Sequence, residues 1–267
     1  MAGLSERIGP LELLDLARSL AEQAAGLLAD ALGHTYEIDT KSTATDMVSA
    51  ADRASERLIV DGIRTARPDD AILGEEGTAD AGSSGVRWIV DPLDGTTNFL
   101  FGVPAYAVSI AVEVHGRTEV GVVADAARGE VFTAVRGGGA HVGLRALRCT
   151  EAESLATALI GTGFGYDATR RAEQGAVVAA LLPQVRDIRR FGAASLDLCW
   201  VAAGRLDGYY ERGLAPWDRA AGALIAAEAG AQVVELDGDL TIAAAPGIFG
   251  PLRSLLGTTG AGNSRIG

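Results

Sequence analysis

Cysteine, histidine and positive charge are all scarce in this chain. Cys149 and Cys199 stand alone, without metal or redox spacing, and two cysteines in 267 residues make no disulfide framework. Both read as reduced, structural residues. The histidines, His34, His115 and His141, are scattered and carry no assignment. Asp and Glu outnumber Lys and Arg by 35 to 23, a formal net charge of -12. That balance argues against a nucleic-acid surface, because phosphate backbones are bound through an excess of Lys and Arg. An anionic substrate would therefore need a metal to receive it. No apolar run reaches the roughly 18 residues of a membrane span. Glu6, Glu12 and Asp15 stand where a signal peptide would carry a basic end and an unbroken apolar stretch. A cytoplasmic protein that enters no membrane is the expectation. Internal repeats and long linkers are missing too, so a chain 48% hydrophobic is expected to bury its core as a single domain, residues 1–267.

What is present reads as layered α/β. Leu11, Leu14, Ala17, Leu20, Ala21, Ala24, Leu28 and Leu32 recur at three- and four-residue steps, which predicts an amphipathic helix stopped by Gly33. A second helix is expected from about Ser49 to Ala66, with Ala51, Leu58, Ile59, Gly62 and Ile63 inward. Short strands follow at Ala71 to Gly74 and Arg87 to Val90, separated by a polar loop. From Ala105 to about Val142, short runs broken by turn residues predict an antiparallel meander. Alternation then resumes: strand near Leu159, helix Ala168 to Leu182, strand near Ile188, helix Ala193 to Ala203, strand near Tyr209, helix Trp217 to Ala229, strand Gln232 to Leu236. Trp88, Trp200 and Trp217 read as core.

The chemistry concentrates in RWIVDPLDGTTNF, Arg87 to Phe99. Asp91 and Asp94 flank a proline that fixes φ, so both carboxylates can converge on one point; Gly95 allows close backbone approach, and the amides of Thr96, Thr97 and Asn98 are placed to receive an anion. Two acids at the tip of an apolar strand cost several kcal/mol to desolvate unless a cation meets them. Taken alone, the pair also fits a helix N-cap with a turn aspartate. Glu75 and Glu76 stand at another strand end, where a solvated loop is the plainer reading. Asp218 lies in a first helical turn, where the dipole alone would favour an acid. Asp52 borders the buried stripe of its helix.

Together, GEEG, WIVDPLDGTTNF and PWDRAAGALIAAEAGA, with DMVSAAD upstream, resemble the signature segments of the inositol monophosphatase family of magnesium-dependent, lithium-sensitive phosphatases, over about Lys41 to Ala231. RRFGAASLDLCWVAAGRLDGYYE, Arg189 to Glu211, is most similar to its bacterial inositol-1-monophosphatase branch. The resemblance implies a fold of five alternating α and β layers, a metal-site half of about 1–150 and a substrate-side half of about 151–267, a homodimer, and two or three Mg²⁺ per subunit. It implies that Glu75, Asp91 and the Leu93 carbonyl hold one magnesium, and Asp91, Asp94 and Asp218 a second. Asp52 and Thr96 would orient and deprotonate the attacking water, with Glu76 assisting. The backbone at Gly95 and Thr96 would receive phosphate oxygens; Ala194, Glu211 and Asp218 would meet the hydroxyls of a phosphorylated polyol, myo-inositol 1-phosphate above all. Arg189 or Arg190 would add a substrate or subunit contact.

One departure stands out. Bacterial relatives usually read GSAALDL where this chain has GAASLDL, Gly192 to Leu198, which bears on how the polyol ring is seated. Three other readings remain. DPLDGT superficially resembles the DxDGT motif of phosphatases that form an aspartyl-phosphate, but here the acids are three apart with a proline between. Histidinol phosphate, a sugar bisphosphate or adenosine 3',5'-bisphosphate are rival substrates, although relatives acting on histidinol phosphate often carry Lys at the place of Thr97. The last is a regulatory binding protein with vestigial activity.

Overall fold

The computed structural model describes residues 9–31, 38–40, 47–236 and 239–258. In chain order the elements are helix α1 (Pro10–Ala31), strands β1 (Ile38–Thr40) and β2 (Met47–Ser49), helix α2 (Ala50–Ala66), strands β3 (Ala71–Gly74), β4 (Ala79–Asp80) and β5 (Val86–Asp94), and the short helix α3 (Thr96–Leu100). The meander follows as β6 (Ala107–Val114), β7 (Arg117–Asp125), β8 (Glu130–Val135), β9 (Gly139–Val142) and β10 (Arg145–Ala146). Then come β11 (Leu159–Thr162), α4 (Ala168–Leu181), β12 (Asp187–Arg189), α5 (Ala194–Ala202), β13 (Gly208–Arg212), α6 (Pro216–Glu228), β14 (Gln232–Leu236), β15 (Leu240–Ala244) and α7 (Pro246–Thr258).

Among the described residues, β1 and β2 form a hairpin. The other strands form an eight-stranded sheet, order β10-β9-β8-β7-β6-β5-β3-β4, and a five-stranded sheet, order β12-β11-β13-β15-β14. Period-two alternation sends neighbouring residues to opposite faces. Trp88 and Val90 pack against α1 and α2, whereas Ile89 between them packs towards α5 and α6. Tyr209 faces α5 and α6 as well, while Tyr210 turns to α4 and α7. Five layers result: α1 and α2, the large sheet, α5 and α6, the small sheet, α4 and α7. No helix among the described residues is long and apolar enough to cross a membrane.

The α1 stripe follows the expected one at Ala17, Leu20, Ala21, Ala24 and Leu28 and differs in its first turn. Leu13, Ala17, Leu20, Ala21, Ala24, Leu28 and Ala31 are buried, Leu11 faces solvent, and Leu14 is half-buried; Leu32 and Gly33 lie outside the described residues. The small residues let α1 lie close on α2, where a Cβ at Gly62 would come within 2.3 Å of Leu20. β5 runs past Val90 to Asp94, with its pairing to β6 shifted between Asp91 and Asp94. β15 and α7 have no counterpart in the periodicity reading. Pro246, Pro251 and three glycines mask the helical pattern of α7, although its Ile248, Leu252 and Leu256 are buried at four-residue steps. Trp88 and Trp200 are buried and Trp217 half-buried; both cysteines are unpaired, Cys199 buried.

One buried acid holds the sheet edge. The Asp70 carboxylate accepts from Arg67 Nε and Nη2 at 2.8 and 2.9 Å, Ser84 Oγ at 2.6 Å and Trp88 Nε1 at 2.9 Å. Burial pushes its pKa up, but these donors together outweigh burial and hold it below the usual carboxylate value. A lowered folded pKa contributes stability above the unfolded value of about 4, lost as pH falls through the folded value. Asp70→Asn is therefore expected to cost about 2 kcal/mol at pH 7 and less at pH 3. Urea denaturation at both pH values tests this; a gap that does not narrow in acid defeats it.

Candidate active site

β3 and β5 run parallel, and the site lies beyond their C-terminal ends, the usual position for ligands in sheets of this kind. Glu75 follows β3, its amide bonded to the Val90 carbonyl at 3.2 Å. Asp91 and Asp94 come from the irregular end of β5, and Asp91 Oδ1 accepts from the Leu93 amide at 3.0 Å. Gly95 then turns the chain with φ 88°, and a Cβ there would stand 2.8 Å from the Ala105 carbonyl. The turn brings Thr96 Oγ1 within 3.0 Å of the Leu93 carbonyl, to which it donates. The first amides of α3 have no partner within the helix and are left for an anion.

The first turns of longer helices complete the cluster. Asp52 is in the first turn of α2, whose Ser55 Oγ donates to the Pro92 carbonyl at 2.8 Å. Asp218 is in the first turn of α6 behind Pro216, and its Oδ2 accepts from the Ala215 amide at 2.6 Å. Asp94 Oδ2 accepts from Ser195 at the start of α5. Each helix presents the positive end of its dipole to an acid.

Electrostatics show which acids meet. Asp91 is 1% exposed; burial, and then Glu75, Asp94, Asp218 and Asp52, push its pKa well above the ordinary value. Burial raises Asp94 to about 6 against the opposing Ser195 and Ala194 donors and the Arg190 charge. Asp218 is pushed up to about 8 by burial, Asp94 and Glu75. Glu211 rises to about 7 by burial, although Tyr209, whose hydroxyl donates to it, and Arg190 pull the other way.

The remaining expected residues are placed as follows. Glu76 lines a groove along α2 with Arg53, Glu56 and Arg57. Arg189 and Arg190 are both exposed; Arg189 pairs with Asp187 at 2.5 Å, whereas Arg190 lies over the Phe164 ring and its charge acts on Asp94, Glu211 and Asp197. Ala194 starts α5 with its amide on Asp94.

Several residues that sequence reasoning missed hold the site in shape. Glu56 is buried and accepts from the Glu76 amide at 2.9 Å and from the Thr78 hydroxyl, which fixes the loop carrying Glu75. Its signal is the four-residue step from Asp52, which puts both acids on one face of α2. Asn98 Nδ2 donates to the Ala105 and Phe191 carbonyls, both at 2.7 Å, and ties the α3 segment to the approach to α5. Nothing local in the sequence announces that bond.

Among the described residues no three Asp, Glu, His or Cys side chains stand close enough to enclose an ion. The donors themselves, carboxylates and carbonyls without sulfur or imidazole, suit a hard cation such as Mg²⁺, which keeps several waters and needs few protein ligands. The rise in pKa of Asp91 under four neighbouring acids is the mark of a group that lacks its counter-charge. The residues fit the metal.

Acids pooled beside backbone amides, with Arg190 at the rim, form a place where a cation and a phosphate ester can meet, and the class is a phosphoric monoester hydrolase of layered α/β fold. The model of the inositol monophosphatase family matches residues 10–262, and the chain belongs to that family. It is 46% identical over 272 residues to the inositol-1-monophosphatase SuhB of Mycobacterium tuberculosis, covering 92% of this chain and 94% of the relative. The Escherichia coli Nus factor SuhB is 40% identical over 257 residues, covering 95% and 92%. Among solved structures, Mycobacterium tuberculosis SuhB superposes with a TM-score of 0.81 at 44% identity, covering 94% of this chain and 97% of that one. SaIMPase-II with inositol monophosphate bound, from Staphylococcus aureus, does so with 0.75 at 27%, covering 92% and 96%.

Proposed function

We propose that the chain is a Mg²⁺-dependent phosphatase that hydrolyses myo-inositol 1-phosphate and related polyol monophosphates to the free polyol and phosphate. The observation that carries this is Asp91: buried at the end of β5 with Glu75, Asp94, Asp218 and Asp52 pressing on it, a set of carboxylates that a divalent cation would neutralise. Family membership and the inositol-monophosphate-bound relative support the substrate class. Glu75, Asp91 and the Leu93 carbonyl would hold one magnesium, and Asp91, Asp94 and Asp218 another. When bound there, magnesium supplies the positive charge that in-line attack on a phosphate monoester needs on both the attacking and leaving oxygens.

The chain's own groups do the rest. Thr96 and Asp52 orient a water, and Asp52 takes its proton. Glu76 assists through the α2 side, where it stands. The amides at Gly95 and Thr96 hold phosphate oxygens. Glu211, Ala194 and Asp218 meet the polyol hydroxyls, and Arg190 rather than Arg189 is the cation on that rim. Lithium sensitivity and a homodimer belong to the same reading and rest on likeness to the family, whereas a single domain and a cytoplasmic location rest on the sequence reading of linkers and apolar runs. A second reading, a regulatory binding protein, is favoured by one specific finding: the Escherichia coli relative is named a Nus factor.

Phosphate release from myo-inositol 1-phosphate and from histidinol phosphate, side by side, with magnesium and with chelator, decides between them. Magnesium-dependent turnover favouring the inositol ester is expected. Preference for histidinol phosphate would keep the metal site and overturn the substrate; silence on both would favour the regulatory reading.

A further inference from the structure

Ser195, the second residue of α5, is fully buried. Its amide and its hydroxyl both donate to Oδ2 of Asp94, at 2.7 and 2.6 Å, across 101 residues of sequence. The residue at the N-cap of α5, Ala193, has no side chain able to cap the helix. Asp94 therefore does from another layer what a Ser, Thr or Asp does at its own helix start. Both Ser195 donors thus converge on one carboxylate oxygen, and the Ala194 amide adds a third bond to the same carboxylate.

The consequence is geometric. A carboxylate held by backbone alone can rock about its last torsion, a broad and soft rotation. One also held by a hydroxyl from a packed helix is fixed at both angles. α5 and α6 pack closely here, since a Cβ on Gly222 of α6 would stand 3.0 Å from the Ser195 carbonyl. The exchange of Ala and Ser in GAASLDL thus moves the hydroxyl from the N-cap position to the place where it reaches Asp94.

Resting on the reading of Asp94 as a cation-holding acid, we propose that Ser195 is a positioning residue: its hydroxyl clamps Oδ2 of Asp94 against α5, so that the carboxylate is held in a preset direction towards the divalent cation. Partners that orient a ligand from behind are worth roughly 10- to 100-fold in metal affinity.

The test is calorimetric titration of the substrate-free protein with Mg²⁺, for wild type, Ser195→Ala, Ser195→Cys, Asp94→Asn and Asp94→Asn/Ser195→Ala. Ser195→Ala is expected to weaken binding about 10-fold or more, with the half-saturating Mg²⁺ concentration for turnover rising by the same factor and kcat at saturating Mg²⁺ falling less. Ser195→Cys, which keeps the volume and a weak donor, is expected to fall between, and it decides the matter if the alanine variant does not fold. The double variant is expected to bind no worse than Asp94→Asn, because the hydroxyl acts through that carboxylate. If Ser195→Ala binds Mg²⁺ as wild type does while Asp94→Asn loses it, the positioning role is overturned and the site stands. A lower melting temperature with unchanged affinity overturns it equally. If Asp94→Asn itself binds normally, the metal-site reading falls and takes this proposal with it.

Discussion

Asp91→Asn is expected to lose turnover by about a thousandfold or more, and yet to melt at a higher temperature than wild type when both are stripped of divalent cation. The two effects have one cause. Asp91 is almost fully buried, and burial together with Glu75, Asp94, Asp218 and Asp52 opposes its charge. Asparagine keeps the shape and the oxygen that accepts the Leu93 amide at 3.0 Å, but it removes the charge that repels four neighbours. Relief of a buried, unpaired charge is worth on the order of 1–3 kcal/mol, a rise of a few degrees for a chain of this length. The same charge is what attracts the cation, and loss of about 4 kcal/mol of transition-state stabilisation is roughly a thousandfold in rate. Calorimetric melting in chelator and phosphate release in magnesium, on the same preparation, measure both. A variant that turns over normally, or that melts lower in chelator, would remove Asp91 from the centre of the site.

Gly95→Ala is expected to cost about 2–5 kcal/mol and to reduce turnover by roughly a hundredfold or more. Gly95 has φ 88°, a left-handed conformation that costs an alanine about 1–2 kcal/mol. Its new Cβ would meet the Ala105 carbonyl at 2.8 Å and the Ala193 Cβ at 3.3 Å, backbone and short side chain that cannot swing aside. Such overpacking adds about 1–3 kcal/mol. Relief comes only by moving the segment that carries Asp94 and Thr96, and a misplacement near 1 Å can cost about a hundredfold. Gly102→Ala is the control: φ is 67°, but nothing lies within 4 Å of the added carbon. It should show the conformational cost alone and keep its turnover. Chemical denaturation and phosphate release on both variants test the pair; equal losses in the two would mean that the close approach at Gly95 is not what matters.

Most elements were legible because their rules are local. α2, α4, α5 and α6 follow their three- and four-residue steps with ends displaced by a residue or two. β6 to β9 follow their turns, with His115 and Gly116 both at positive φ between β6 and β7. Legibility failed where local signals conflict or tie. Leu11 and Leu14 compete with Leu13 for the α1 stripe on composition alone, and only contact with α2 and the large sheet chooses Leu13. In α7, prolines and glycines speak against a helix that packing on β15 nevertheless stabilises, burying Ile248, Leu252 and Leu256.

For the site, the sequence by itself determined the inventory: the acids at strand ends and first helical turns, the glycine that lets the backbone turn, and the absence of sulfur or imidazole that makes the donor set one for a hard cation. Proline, glycine and periodicity act over a few residues, so one short segment suffices to specify Asp91, Asp94 and Gly95. Only the tertiary structure decided which of these groups meet. Glu56 fixes the Glu75 loop, Asn98 ties α3 to the approach to α5, the charge of Arg190 acts on Glu211 while Arg189 pairs with Asp187, and Ser195 reaches Asp94 across 101 residues. These contacts are made between layers. Which side chains face one another across a layer is set by how sheets and helices stack to bury their apolar faces, a property of the whole packed core that no local stretch of sequence contains.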